Sequence, residues 1–127
     1  MGTPDYIAPE ILVGHGLDDK SVDWWSVGVV LFEFLIGIPP FNDESVDKIF
    51  DNIKNRRIPW ESIPIGEEEE EGSIGLNAKN IIDQLLEINP GKRLGAGGAD
   101  EIKKHPFFEG NCYKIYIQDN NKVFNRN

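Results

Sequence analysis

Apolar residues are densest between Val22 and Ile36, in the stretch VDWWSVGVVLFEFLIG. On a helical projection they occupy almost every side, whereas a surface helix carries a single apolar stripe. Ser21 is a suitable N-cap, and Gly37 followed by Pro39-Pro40 is a suitable stop. The pattern therefore predicts a helix at the centre of the fold, with other elements packed around it.

Two further helices are predicted by apolar spacing. Val46, Ile49, Phe50 and Ile53 follow the i, i+3, i+4, i+7 rule, and Asp43 or Ser45 can open that helix. The second runs from an Asn77 cap to about Glu87, and its apolar positions are Ile81, Ile82, Leu85, Leu86 and Ile88.

The remaining elements are short. Pro9 suits the first position of a helix that reaches about Val13, and another short helix is expected from about Asp100 to Lys104. Residues 56–75 read as a long loop. No pair of alternating segments indicates a hairpin, so the predicted fold class is all-α.

Charge narrows the possible partners. The 127-residue chain has a formal net charge of −9, and its sequence pI is about 4.6. This balance argues against nucleic acid or an anionic membrane as a partner and is compatible with basic peptides. Much of the excess lies in the run Glu67–Glu71, which is expected to be a solvated loop.

The numbers and positions of cysteine and histidine argue against a disulfide-stabilised or metal-binding protein. Cys112 is the only cysteine, and His15 and His105 are isolated, so neither a disulfide nor a metal site is predicted. The N-terminal residues lack the basic and apolar regions of a signal peptide, and Glu33 interrupts the longest apolar stretch. The expected location is intracellular, either cytoplasmic or nuclear.

Four motifs stand in a fixed order: GTPDYIAPE at residues 2–10, SVDWWSVGVVLFEFLIGIPPF at 21–41, NPGKRLG at 89–95 and KHPFF at 104–108. In order and spacing they resemble the C-terminal half of the large lobe of eukaryotic protein kinases. DWW, KRLG and HPFF resemble the AGC group. GTPDYIAPE, FEFLIGIPPFNDES and IPW most resemble its branch of Greatwall and microtubule-associated serine/threonine kinases, including the yeast Rim-type relatives.

The resemblance implies a fold and a division of the chain. Residues 1–110 correspond to a partial kinase C-lobe, from the end of the activation segment through the last helices. They include no N-lobe sheet. Residues 111–127 form a C-terminal tail that departs from the group, because NCY replaces the usual DW after the FF motif.

Several residues acquire roles near a substrate through the resemblance. Thr3 would lie beside the catalytic loop and support it, although an ordinary turn threonine is the alternative. Pro4 and Ile7 would form the floor of the pocket for the residue after the phosphorylated one, and Tyr6 would pack beneath that loop. Plain core packing remains compatible with all three.

Two acidic residues are candidates for binding a basic substrate. Glu33 must meet solvent or a cation, because an unpaired buried charge is costly. The resemblance implies that Glu33 receives an arginine upstream of the target residue, and Asp5 would add to this acidic patch. The alternative for Glu33 is an internal pair with a Lys or Arg. The aromatic residues Trp24, Trp25, Phe32 and Phe34 are expected in the core.

Three charged residues acquire structural roles. The resemblance pairs Glu10 with Arg93, whose planar guanidinium can hold a carboxylate with two bonds. Local sequence alone would place both at the surface. Asp23 would accept hydrogen bonds from backbone amides of the catalytic loop, and a solvent-facing carboxylate at a helix N-terminus is the alternative.

The groups that bind ATP and magnesium in a complete kinase do not occur in the sequence, because it holds neither HRD nor DFG. GAGG at residues 95–98 reads as a helix connection. The leading hypothesis is a part of an ATP-dependent serine/threonine kinase that is inactive alone. Its partners would be a basic protein substrate and the rest of the kinase domain. The alternative is a noncatalytic module that binds peptides or kinases through its pocket and the helix after Pro40.

A physical consequence concerns the central helix. Without the rest of a kinase domain, one of its sides is expected to lack cover. Large exposed apolar surfaces favour association. Self-association or marginal stability of the isolated chain is therefore predicted.

Overall fold

The structure is a computed structural model that describes residues 4–14, 19–66 and 74–109. Five α-helices occur in these residues: α1 Pro9–Leu12, α2 Asp19–Ile36, α3 Val46–Lys54, α4 Leu76–Leu85 and α5 Asp100–Lys103. Three 3-10 helices cover Pro4–Tyr6, Trp60–Ser62 and Pro106–Glu109. The predicted all-α class is confirmed.

One departure from that class lies in the segment predicted as a loop. β1 (Ile65–Gly66) and β2 (Ile74–Gly75) form a two-stranded parallel pair, with Ile65 opposite Ile74. The pair leads directly into α4. Two residues per strand are too few for an alternating pattern, so the sequence could not indicate it.

The core lies between α2 and α4. Trp25, Val29 and Phe32 of α2 are fully buried, as are Ile81, Ile82 and Leu85 of α4. The closest approach is at Gly28, where an added Cβ would lie 2.9 Å from Cβ of Leu85. Glycine at this position therefore allows the two helices to pack closely.

The opposite face of α2 is open. Val27, Val30 and Phe34 are exposed by 40%, 54% and 73%, and their spacing places them along one face of the helix. We call these three residues the open face of α2. The prediction that Phe34 belongs to the core is wrong, because no element among the described residues covers this face.

Of the three predicted helix caps, the structure contains one. Ser45 caps α3 by accepting a hydrogen bond from the Lys48 amide at 3.3 Å. The cap predicted at Ser21 is wrong, because α2 begins earlier and the Ser21 hydroxyl donates to the Pro90 carbonyl at 3.4 Å. The cap predicted at Asn77 is also wrong, since extended Gly75 precedes α4 and no side chain caps it.

Candidate functional site

The most buried polar contact in the described residues joins Glu10 of α1 to Arg93, which lies before α5. Nη1 and Nη2 of Arg93 donate to the two carboxylate oxygens of Glu10 at 2.7 and 2.8 Å. The two side chains are 6% and 0% exposed, respectively. The structure thus contains the pair that the resemblance implies and buries it almost completely.

Arg93 also organises the backbone around it. Its guanidinium donates to the carbonyls of Ser21 at 2.7 Å and Glu87 at 2.9 Å, and it lies 5.0 Å from the ring centroid of Trp25. The planar guanidinium carries several donors that point in different directions. This one side chain therefore links α1, the start of α2 and the end of α4.

The turn Pro4–Tyr6 lies close to α2 and to the connection that follows it. The Ile7 amide donates to the Pro4 carbonyl at 3.2 Å and closes the turn. Pro4 and Ile7 are half-buried. The Ser26 hydroxyl of α2 donates to the Tyr6 carbonyl at 3.5 Å. The turn that contains Pro4 and is closed by the Ile7 amide is therefore held against α2.

The internal partner of Glu33 is a tyrosine and not the Lys or Arg that the sequence suggests as the alternative. The Tyr6 hydroxyl donates to Oε1 of Glu33, and the Glu33 side chain has no other hydrogen-bond partner among the described residues. This hydrogen bond, assisted by burial and by the nearby carboxylates of Glu33 and Asp5, raises the pKa of Tyr6. Tyr6 therefore stays a neutral donor that fixes the orientation of the Glu33 carboxylate.

Asp5 departs from its predicted role in an open acidic patch. It is only 3% exposed, and Nδ2 of Asn42 donates to its Oδ1 at 3.2 Å. The tight turn at Pro4–Tyr6 places this side chain beneath the α2–α3 connection and away from solvent. Thr3, the other candidate in this stretch, lies outside the described residues.

Asp23 lies at the N-terminal end of the open face of α2. Its side chain is exposed and has no partner among the described residues. Its spacing to Val27 and Val30 places all three on one side of the helix. An unpaired acceptor and an apolar stripe therefore lie side by side on a surface that nothing in the described chain covers.

The backbone amides of the glycine-rich connection 95–98 bind a carboxylate side chain of the same chain. The backbone amides of Gly95 and Gly97 donate to Oε1 of Glu101 at 2.8 and 3.3 Å. This agrees with its interpretation as a helix connection. Among the described residues, no group of three or more His, Cys, Asp or Glu could hold a metal ion. In the same part of the chain, no helix has the length and apolarity to cross a membrane.

The sequence analysis missed a polar cluster around Asp83. Its carboxylate accepts from Trp60 Nε1 at 2.8 Å, from Lys79 Nζ at 2.9 Å and from Arg56 Nη2 at 3.1 Å. Arg56, at φ 53°, also donates to the Leu86 carbonyl at the end of α4. The Lys79–Asp83 spacing was the available signal, since i, i+4 pairs share a helix face.

His105 is buried in a second polar cluster. Its Nδ1 accepts from the Phe107 amide at 3.0 Å, so Nε2 carries the proton and donates to Oδ1 of Asn80 at 2.6 Å. Burial lowers the pKa of His105 below its usual 6.5. The neutral imidazole is therefore the form that the fold accommodates.

The free energy of unfolding is expected to fall as pH decreases through about 6.5. Below this pH the unfolded state binds a proton at His105 before the folded state does, so the stability present at higher pH is lost. Urea titrations across this range measure the loss. His105→Asn, which keeps an acceptor near the Phe107 amide, should flatten the profile. An unchanged profile in this variant would contradict the assignment.

Comparison with known proteins agrees with these features. The Protein kinase domain family profile matches residues 1–108. A probable serine/threonine protein kinase, IRE, of Arabidopsis thaliana is 56% identical over 109 residues, covering 86% of this chain and 9% of the relative. The kinase cek1 of Schizosaccharomyces pombe is 53% identical, covering 94% and 8%. The kinase greatwall of Danio rerio is 53% identical, covering 87% and 12%. The chain thus spans about a tenth of these relatives.

Proposed function

The chain belongs to the protein kinase family, and from this premise we propose that it forms the substrate-facing part of a serine/threonine kinase of the Greatwall branch. The observation that carries the proposal is the turn Pro4–Tyr6, which is fastened to α2 through Tyr6 and Glu33. A protein substrate would bind along this turn. Pro4 and Ile7 would contact the residue after its target serine or threonine, and Thr3 would support the catalytic loop.

Glu33 would receive a basic side chain of the substrate. The Tyr6 hydroxyl bonds one of its carboxylate oxygens, so the other can accept a charge-assisted hydrogen bond from an arginine. Tyr6 would keep the carboxylate aimed while the substrate binds. Because Asp5 is buried and bonded to Asn42, Glu33 alone would provide the charge that selects a basic peptide.

The open face of α2 would contact the rest of the kinase domain. Asp23 offers an acceptor for backbone amides, and Val27, Val30 and Phe34 offer the apolar surface beside it. Membership of the family implies ATP and magnesium, which supply the phosphoryl group in a complete domain. The sequence contains neither HRD nor DFG, so we expect this chain alone to bind neither of them. This chain would therefore bind and orient the protein substrate while the remainder of the domain binds the nucleotide.

When the chain is alone, the open face would cause self-association, because exposed apolar surface favours burial against another copy. The working location of the protein would be the cytoplasm or nucleus, where a kinase meets ATP. Neither nucleic acid nor membrane is a proposed partner of this acidic chain.

The proposal is tested in a complete kinase domain that contains this chain, for example the Danio rerio greatwall domain with the chain in place of its matching segment. The domain should phosphorylate serine or threonine peptides that carry an upstream arginine. Glu33→Gln should raise KM for these peptides about tenfold. The variant replaces the carboxylate by a neutral amide, so the hydrogen bond from the substrate arginine loses its ionic partner.

Two controls sharpen the test. Glu61→Gln removes an exposed carboxylate away from the turn and should leave KM unchanged. Peptides without the arginine should respond equally to the wild-type domain and to Glu33→Gln. A wild-type domain that binds peptides but transfers no phosphate would overturn the proposal in favour of a noncatalytic binding module.

A further inference from the structure

Asn42 lies in the connection between α2 and α3, and its side chain contacts the turn Pro4–Tyr6. Its Nδ2 donates to Oδ1 of Asp5 at 3.2 Å. Asp5 is almost wholly buried, whereas Asn42 itself is exposed. A buried carboxylate needs a donor, and among the described residues Asn42 is the side chain that supplies one.

The connection that carries Asn42 is fixed from both sides. The Phe41 ring stacks on Trp25 of α2, with centroids 5.5 Å apart and planes 9° apart. From α3, Nδ2 of Asn52 donates to the Phe41 carbonyl and to Oδ2 of Asp43, each at 3.1 Å. The residues on either side of Asn42 are thus both bonded to Asn52 of α3, and this holds the connection beside Asp5.

We propose that Asn42 is a positioning residue that holds the turn Pro4–Tyr6, through Asp5, where a protein substrate binds. The inference rests on the proposed function, since the turn must face the substrate for its position to matter. It acts on substrate binding and leaves the phosphoryl transfer step alone, because the Asn42 side chain bonds only the turn among the site residues that the structure describes. It also links α3 to that turn, through Asn52.

The first test uses hydrogen exchange in the chain itself. The reporter is the Ile7 amide, which closes the turn on the Pro4 carbonyl. Asn42→Ala removes the donor to Asp5 and should speed exchange of this amide about three- to tenfold, the effect of losing one hydrogen bond to a charged group on a partly exposed pair. Asn42→Asp should speed it further, because two carboxylates then face each other.

The decisive variant exchanges the two partners. Asn42→Asp combined with Asp5→Asn again places one amide against one carboxylate, so exchange at Ile7 should return to within about twofold of wild type. Asn55→Ala is the matched control, because among the described residues the Asn55 side chain bonds only Asp51 of the preceding helix. Failure of the double variant to recover, or equal exchange in all variants, would overturn the inference.

The second test measures kinetics in the complete kinase domain. Asn42→Ala should raise KM for the protein substrate about three- to tenfold and leave kcat within about twofold, and the exchanged pair should restore KM. If the wild-type domain is active and Asn42→Ala has the same KM, the inference is wrong and the proposed function stands. An inactive wild-type domain would reject the proposed function, and the exchange at Ile7 would then still decide whether Asn42 positions the turn.

Discussion

Replacing Arg93 by alanine is expected to lower the free energy of unfolding by about 3–5 kcal/mol. The change removes the guanidinium from the buried Glu10 carboxylate and removes donors from the carbonyls of Ser21 and Glu87. A loss of this size is a large part of the total stability of a domain, about 5–15 kcal/mol. Urea unfolding followed by tryptophan fluorescence measures it.

A second arginine provides the control. Arg57 pairs with Asp51, but both side chains are more than half exposed. Arg57→Ala should therefore cost at most about 1 kcal/mol. Replacing both Glu10 and Arg93 by methionine should be less harmful than Arg93→Ala alone, because no buried charge is left without a partner. Equal losses for Arg93→Ala and Arg57→Ala would contradict the buried pair.

Gly95→Ala is expected to have the second large effect, a loss of about 2–6 kcal/mol. Gly95 has φ +98°, and an added Cβ would lie 2.4 Å from Cδ1 of Trp24. The backbone strain contributes about 1–3 kcal/mol and the overlap with the indole a similar amount. Thermal unfolding followed by circular dichroism measures the loss.

Gly98→Ala separates these two causes. Gly98 also has positive φ, at +125°, but nothing lies within 4 Å of an added Cβ. Its variant should show the strain alone, about 1–3 kcal/mol. If Gly98→Ala destabilises the chain as much as Gly95→Ala does, the close packing of Trp24 against this connection is not what requires glycine.

The sequence predicts the position of α2 well, but it does not predict which sides of α2 other elements cover. Its apolar pattern marks α2 and its end at Ile36 because the hydrophobic run and the Gly-Pro stop are local signals. The same pattern cannot say what covers each side. Val30 and Phe34 look like core residues in the sequence, but no element among residues 4–14, 19–66 and 74–109 packs over them.

The candidate site shows the same division. The Glu10–Arg93 pair followed from a family resemblance, since no local signal joins residues so far apart in the chain. The burial of Asp5 did not follow from it, because the direction of a side chain in a tight turn depends on which neighbouring loop folds over it. Ser21 failed as a cap for a related reason, since its hydroxyl is bonded to a distant carbonyl.

The most direct test of the central claim is nucleotide-dependent melting of the chain alone and of the complete kinase domain that contains it. ATP with magnesium should leave the melting temperature of the chain unchanged and raise that of the complete domain. Phe34→Glu, on the open face of α2, should abolish the increase, whereas Val46→Glu, at an exposed apolar position of α3, should not. A clear increase for the chain alone, or the same increase in both variants, would contradict the claim that this face binds the nucleotide-binding part of the domain.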